Sequence, residues 1–316
     1  MRTVPSGRQV RLAAHDQELV AVEVGGGIRA YRASGRDVLE PYAEGEMCAG
    51  GRGQLLAPWP NRLRDGSFEW EGRTLQLAVT EPEAGNAIHG LVRWANWQVP
   101  EPESVRSPYT PQTPVDSTAL TYRLHPQPGW PWPLDLRVVY RLSPDQGLEV
   151  RTTVTNLSSH PCPIGFGWHP YLAVPVDECT LTLPAATAYT SDERGIPTGR
   201  IAVEGGELDF RTPRMIGPAR LDVAFTDLER DPAGRTHVVV EGRDGWRADV
   251  WGDATFTHLM LYTGDTLADP ARRRRGLAVE PMTGAPDMLH SGDGLRVLEP
   301  GATLGASWGV DPFRKW

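Results

Sequence analysis

The residues of this chain whose types suit chemistry fall at four places dense in turns and aromatics. The first is Pro58-Trp59-Pro60-Asn61-Arg62-Leu63, followed by Asn86-Ala87-Ile88-His89-Gly90. Two prolines stiffen the loop ahead of Asn61 and Arg62, so that both can present preset hydrogen bonds, and Gly90 leaves the His89 ring open to a ligand. A rigid loop carrying a surface arginine and a turn histidine is the other reading. The second place is Gly165-Phe166-Gly167-Trp168-His169-Pro170-Tyr171, where glycines permit close backbone approach and Pro170 restricts His169. A histidine satisfied within a core fits there too. The third is Gly276-Leu277-Ala278-Val279-Glu280-Pro281, an apolar strand that reads as ending in a carboxylate. Such a charge is costly unless paired or used, whereas at a solvated strand end it costs nothing. The fourth is Arg220-Leu221-Asp222-Val223, with Asp222 at a loop-to-strand transition where aspartate often serves only to form the turn.

Other chemistry is thinly represented. No Gly-rich phosphate loop, His-Glu-x-x-His, calcium loop or Gly-x-Ser-x-Gly elbow occurs, which removes the common kinase, zinc-protease and serine-hydrolase readings. Cys48, Cys162 and Cys179 are odd in number and far apart, which argues against a disulfide framework or a zinc site and fits a reducing compartment. What remains is acid–base work by His and Glu. Trp59, Trp94, Trp168 and Trp251 offer flat faces suited to the C–H face of a sugar, although most of the 11 tryptophans belong in core or rim packing. The run Arg272–Arg275 reads as a solvated loop that could also receive a phosphate.

Positioning these groups falls to strands. With 34 Gly and 29 Pro in 316 residues the chain turns often. Between the turns lie stretches rich in β-branched and aromatic residues at 19–24, 67–79, 117–124, 134–142, 148–154, 236–241, 247–251, 258–262 and 295–310. In the second, Phe68, Trp70, Leu75 and Leu77 alternate on either side of Glu71-Gly72, which predicts a hairpin with one buried face; the last has a similar break at Pro300-Gly301. No 3.6-residue periodicity persists over three turns, and strands do not alternate with helical stretches, so the pattern predicts an antiparallel all-β protein. Pro100 to Asp116 and Pro175 to Thr226 read as irregular, but neither resembles a linker, and one domain over residues 1–316 is the simplest organisation.

Charge and hydropathy exclude whole classes of partner. A net charge of −8 disfavours nucleic acid. No apolar run approaches the roughly 20 residues of a membrane span, and Met1–Gly7 leads straight into polar sequence without a secretory signal, which points to the cytoplasm. A monomer or weak dimer is the default expectation.

Taken in order, the four places resemble the aldose 1-epimerase (galactose mutarotase) family. The strings that carry the resemblance are PWPNRLRDGSFEWEGRTLQL, NAIHG, GFGWHPYL, LDVAF and GLAVEPMTGAPD, spread from Pro58 to Asp287. Each alone is weak; the ordered set is specific. The resemblance implies a large antiparallel β-sandwich of the galactose mutarotase-like type that interconverts α and β anomers of a free aldose without metal or organic cofactor. Position by position, it implies that Glu280 is the general base and His169 the general acid. Arg62, His89 and Asp222 would hold the hydroxyls, with Asn61 beside them and Trp251 or Trp59 over a sugar face. Reference pKa values of about 4.3 for Glu and 6.5 for His allow an ionised base and a protonated acid that stabilise each other. The chain departs from the best-known galactose mutarotases in having Leu91-Val92-Arg93-Trp94 after His89-Gly90 and Trp168 before His169, both of which bear on pocket shape. These departures leave room for the hexose-6-phosphate 1-epimerase relatives, to which Arg62, Arg64 and Arg272–Arg275 also point. A non-catalytic carbohydrate-binding module is the alternative from another class, since fold does not fix function.

Overall fold

The strands pair as the alternation demands. A computed structural model describes residues 4–99 and 116–312. Its two large sheets are antiparallel throughout, one of 12 strands and one of 8. In the larger, Gln9–Ala14, Gln17–Val22, Ile28–Ala33 and Arg36–Leu39 form a meander that meets Tyr171–Leu172, and beyond it lie Leu277–Met282, His258–Tyr262, Asp222–Leu228, Ala185–Ser191 and Pro197–Ala202. The smaller runs from Asp116–Leu124 through Leu134–Ser143, Gly147–Asn156, Thr303–Asp311, Arg247–Gly252 and Thr236–Glu241 to Thr180–Thr182 and Arg214–Met215. Leu134–Ser143 shows the cause: Leu134, Leu136, Val138, Tyr140 and Leu142 are buried and the residues between them are not. That period of two turns one face of the sheet toward a partner sheet. Buried apolar residues of both sheets join in one contiguous cluster, so the sheets pack as a β-sandwich.

Several local expectations hold and several change. Ser67–Trp70 and Arg73–Gln76 form the hairpin about Glu71-Gly72. The last stretch is no hairpin: Arg296–Leu298 pairs with Cys162–Ile164, while Thr303–Asp311 joins the smaller sheet, so Pro300-Gly301 turns the chain from one sheet to another. The segment from Pro175 to Thr226 is not irregular but supplies four short strands and the start of Asp222–Leu228. Its strands are hard to read because Ala185–Ser191 and Pro197–Ala202 are rich in Ala, Thr and Gly and largely exposed along the second of them. The proline-rich stretch 100–115 lies outside the described residues. Among the described residues no helix is long and apolar enough to cross a membrane.

Candidate active site

The larger sheet carries the site on the face turned away from the core. Along Leu277–Met282, Leu277 and Val279 enter the core cluster while Ala278, Glu280 and Met282 point the other way. Glu280 is therefore mid-strand, not at a strand end as its sequence context implies, and it is only 2% exposed. Val279 and Thr283 donate backbone hydrogen bonds to the carbonyls of Pro170 and Phe166. Between them stands Pro281, which has no N–H to give, and opposite it the neighbouring strand breaks into Gly167–Trp168 and Tyr171–Leu172. His169 occupies that break. Gly167 lies opposite Met282 and Tyr171 opposite Ala278, a register that sets His169 directly across from Glu280. The small Ala278 leaves space between Tyr171 and Tyr262, and Asp222 pairs with Tyr262 on the next strand.

Two further segments close the walls. Arg62–Arg64 pairs with Asn86–Ile88, which brings both halves of the first motif together. Asn61 donates its N–H to His89 Nδ1 at 3.2 Å and receives the His89 N–H on its carbonyl at 2.9 Å. Asn61, His89 and Asp287 all have positive φ, a conformation uncommon outside glycine and frequent at functional sites. Asp287 accepts from the Arg64 N–H at 3.0 Å and from His290 at 2.7 Å, and donates its own N–H to the Arg62 carbonyl. The 49–52 loop forms another wall: Gly51 has φ +73°, and a Cβ there would stand 2.7 Å from His169 Cδ2. The result is a pocket of about 390 Å³ containing Glu280, His169, His89, Asn61, Arg62 and Asp222, within the size range of small-molecule sites.

His169 Nε2 lies 3.3 Å from Glu280 Oε1. The imidazole stacks on Tyr171 with ring centres 4.9 Å apart and planes 11° apart, and His89 meets it edge-on at 5.3 Å. Beneath Tyr171 lies the buried Arg52 guanidinium, 4.6 Å from the ring centre and tied to Glu40 at 3.0 Å. Because His89 Nδ1 accepts from Asn61, the proton of a neutral His89 sits on Nε2 and is available to a ligand. Burial, reinforced by Asp222, pushes the Glu280 carboxyl well above its usual range. Burial and the Arg93 and Arg52 charges push His169 down to about 3, and burial with Arg93 holds His89 well below its ordinary value. The environment thus favours the uncharged form of each partner in place of the mutually stabilised ion pair expected from reference values. Glu280 Oε2 and His169 Nδ1 are buried without a hydrogen-bond partner among the described residues, which leaves hydrogen-bonding capacity at the site unused.

Arg62 is held by Glu81 at 3.0 and 3.3 Å and approaches Asp222 at 3.5 Å. Asp222, half-exposed, sits at the pocket mouth. Two tryptophan assignments are corrected. Trp251 lies on the smaller sheet, covered by Arg235 at 4.1 Å, and lines a separate cleft with Asp231 and His237. Trp59 is 2% exposed and packs on Trp130 in the core. Trp168 likewise points into the core, where its indole donates to Thr152, so it does not shape the pocket. The tryptophan that does line the pocket is Trp94, 50% exposed. Sequence reasoning missed Glu81, Arg52 and Tyr171 as supports; of these only Tyr171 carried a signal, through the HPY string. Of the arginine run, Arg272 reaches Glu40 and Glu46, Arg273 bonds the Leu267 carbonyl, and Arg274 reaches Asp177 and Asp265. Among the described residues no group of three or more His, Cys, Asp or Glu is arranged to hold a metal ion.

Known proteins match the chain over nearly its whole length. A family model described as aldose 1-epimerase matches residues 8–309. The uncharacterized protein YihR of Escherichia coli K12 is 32% identical over 314 residues, covering 94% of this chain and 90% of YihR. A galactose mutarotase-like protein from Clostridium acetobutylicum superposes with a TM-score of 0.81 at 19% identity, over 96% of this chain and 94% of that one. Galactose 1-epimerase from Lactobacillus acidophilus NCFM gives a TM-score of 0.77 at 16% identity, over 96% and 94% respectively.

Proposed function

Since the chain belongs to the aldose 1-epimerase family, we propose that it interconverts the α and β anomers of a free aldose, such as glucose or galactose, through Glu280 and His169. The observation that carries this reading is the buried 3.3 Å contact between His169 Nε2 and Glu280 Oε1 inside a pocket walled by Arg62, His89 and Asp222. Glu280 takes the proton of the O1 hydroxyl while His169 gives one to the ring oxygen O5. The C1–O5 bond breaks and C1=O1 forms, rotation about C1–C2 exposes the other face of the aldehyde, and reclosure returns both protons.

Burial of the pair fits this cycle. A carboxylate and an imidazolium enter the ring-opening step, and a carboxylic acid and a neutral imidazole leave it, so the open-chain stage coincides with the uncharged state that the surroundings favour. The ionic form regenerates by moving one proton between the partners, without exchange of net charge with solvent. His89 Nε2–H and Arg62 donate to sugar hydroxyls, and Asp222 accepts from one. Arg62 and Arg272, two of the arginines that point to the sugar-phosphate alternative, already face carboxylates. A module that only binds sugar has no need of a proton-transferring pair.

Polarimetry of freshly dissolved α-D-glucose and α-D-galactose tests the proposal. The protein accelerates approach to anomeric equilibrium, and Glu280→Gln and His169→Ala each lose about 10²–10⁴-fold, the usual worth of a positioned proton-transfer group. Unchanged rates in both variants would overturn the assignment.

A further inference from the structure

Building on the reading of the pocket as an aldose site, we propose that Arg93 receives an oxyanion substituent of the sugar, a carboxylate or a phosphate group, and so selects charged aldoses over neutral ones. Arg93 and its neighbour Trp94 both line the pocket that holds Glu280. The other arginines of that pocket are neutralised: Arg52 by Glu40 at 3.0 Å, Arg62 by Glu81 at 3.0 Å, and Arg272 by Glu46 at 2.8 Å. Arg93 is not. Among the described residues its contacts are the Ile88 carbonyl at 3.3 Å and the Trp94 ring at 5.8 Å, with no carboxylate in ion-pair range.

A partly buried guanidinium without a counter-ion works against folding, since the charge has left water and gained no partner. Burial depresses its proton affinity by more than the Glu81 carboxylate, which lies beyond ion-pair range, restores it. The molecule tolerates this although it carries a net charge of −8 and has carboxylates in excess. A planar fork with donors to spare is matched to a carboxylate or phosphate, which it can grip through two parallel hydrogen bonds. Trp94 beside it supplies an open face for the apolar side of the same substituent. The charge of Arg93 also opposes protonation of His169 and His89. An oxyanion on Arg93 offsets that field, so its benefit appears in kcat as well as in KM.

The test compares D-glucose, D-glucuronate and D-glucose 6-phosphate on the full-length wild type, Arg93→Gln and Arg93→Lys, by calorimetric binding and by anomerisation rate. The wild type is expected to prefer at least one charged sugar by about tenfold or more, and the two charged probes separate carboxylate from phosphate recognition. Arg93→Gln abolishes the preference, and Arg93→Lys retains part of it. The proposal is overturned if the wild type binds glucose as well as both charged sugars, or if Arg93→Gln keeps the preference. Absence of any anomerisation would defeat the epimerase reading alone, because Arg93-dependent binding of a charged sugar would still stand.

Discussion

Glu280 and His169 are legible as chemistry in the sequence because each is a titratable group set among apolar and aromatic neighbours, where a charge must be paired or used. Their state is not legible. Reference values predict an ion pair, whereas burial of both groups drives Glu280 up and His169 down, a consequence of packing that no string of residues displays. The supports of His169 are equally hidden, since Arg52 and Gly51 sit in a glycine-rich loop far away in sequence. Gly51 gives a sharp test of how closely that loop must approach. Gly51→Ala places a methyl against the imidazole and strains a left-handed backbone, so activity should fall at least tenfold while the melting temperature drops by only a few degrees. Anomerisation rate and thermal melting on the same sample check this, and normal activity in the Gly51→Ala variant would show that the ring has room to move.

At the scale of elements, alternating strands such as Leu134–Ser143 announce themselves, and so does the Ser67–Gln76 hairpin. In the sequence the strand through Glu280 reads as stopping at Pro281, because proline usually ends pairing. It continues to Met282 because the missing N–H falls where the adjacent strand is itself broken, and that break is what admits His169. Trp251 is misplaced by sequence reasoning for a related reason: alternation gives a side chain's face, not the sheet to which its strand belongs. The Asn61–Arg64 segment depends on Asp287, which lies in the GAPD string with no role evident from the sequence. Asp287→Ala removes acceptors for Arg64 and His290 and is expected to cost about 1–3 kcal/mol and to raise KM for the sugar more than it lowers kcat. Asp287→Asn, which keeps an acceptor and tolerates positive φ, should recover most of both. Denaturant titration and steady-state kinetics decide, and equal behaviour of the two variants would remove Asp287 from this positioning role.

Across the whole molecule, His89, His169 and His258 are buried and held below their ordinary proton affinity, His169 to about 3 and His258 to about 4, chiefly by burial. A depressed folded-state value means that the native state resists a proton which the unfolded chain accepts near pH 6.5. Stability from these groups is therefore complete above about pH 6.5 and falls as acid is added, by about 1.4 kcal/mol per pH unit for each. Glu280 acts oppositely, since its folded-state value is raised and its contribution declines as pH rises above about 4.5. Unfolding near pH 5.5 should thus take up about two protons, three from histidines less one from Glu280. The melting temperature should drop from pH 7 to pH 5, and His258→Gln should flatten the slope; a melting temperature constant over that range would contradict the assignment. The contact between Glu280 and His169 has one more consequence, in the order of assembly. Glu280 and His169 meet only when Tyr171–Leu172 docks on Leu277–Met282, a pairing of segments separated by more than a hundred residues of intervening strands. Contacts so distant along the chain form slowly, because loop closure must precede them. Activity from this site is accordingly a late reporter of refolding, and it should return after most of the far-ultraviolet circular dichroism of the strands has been recovered.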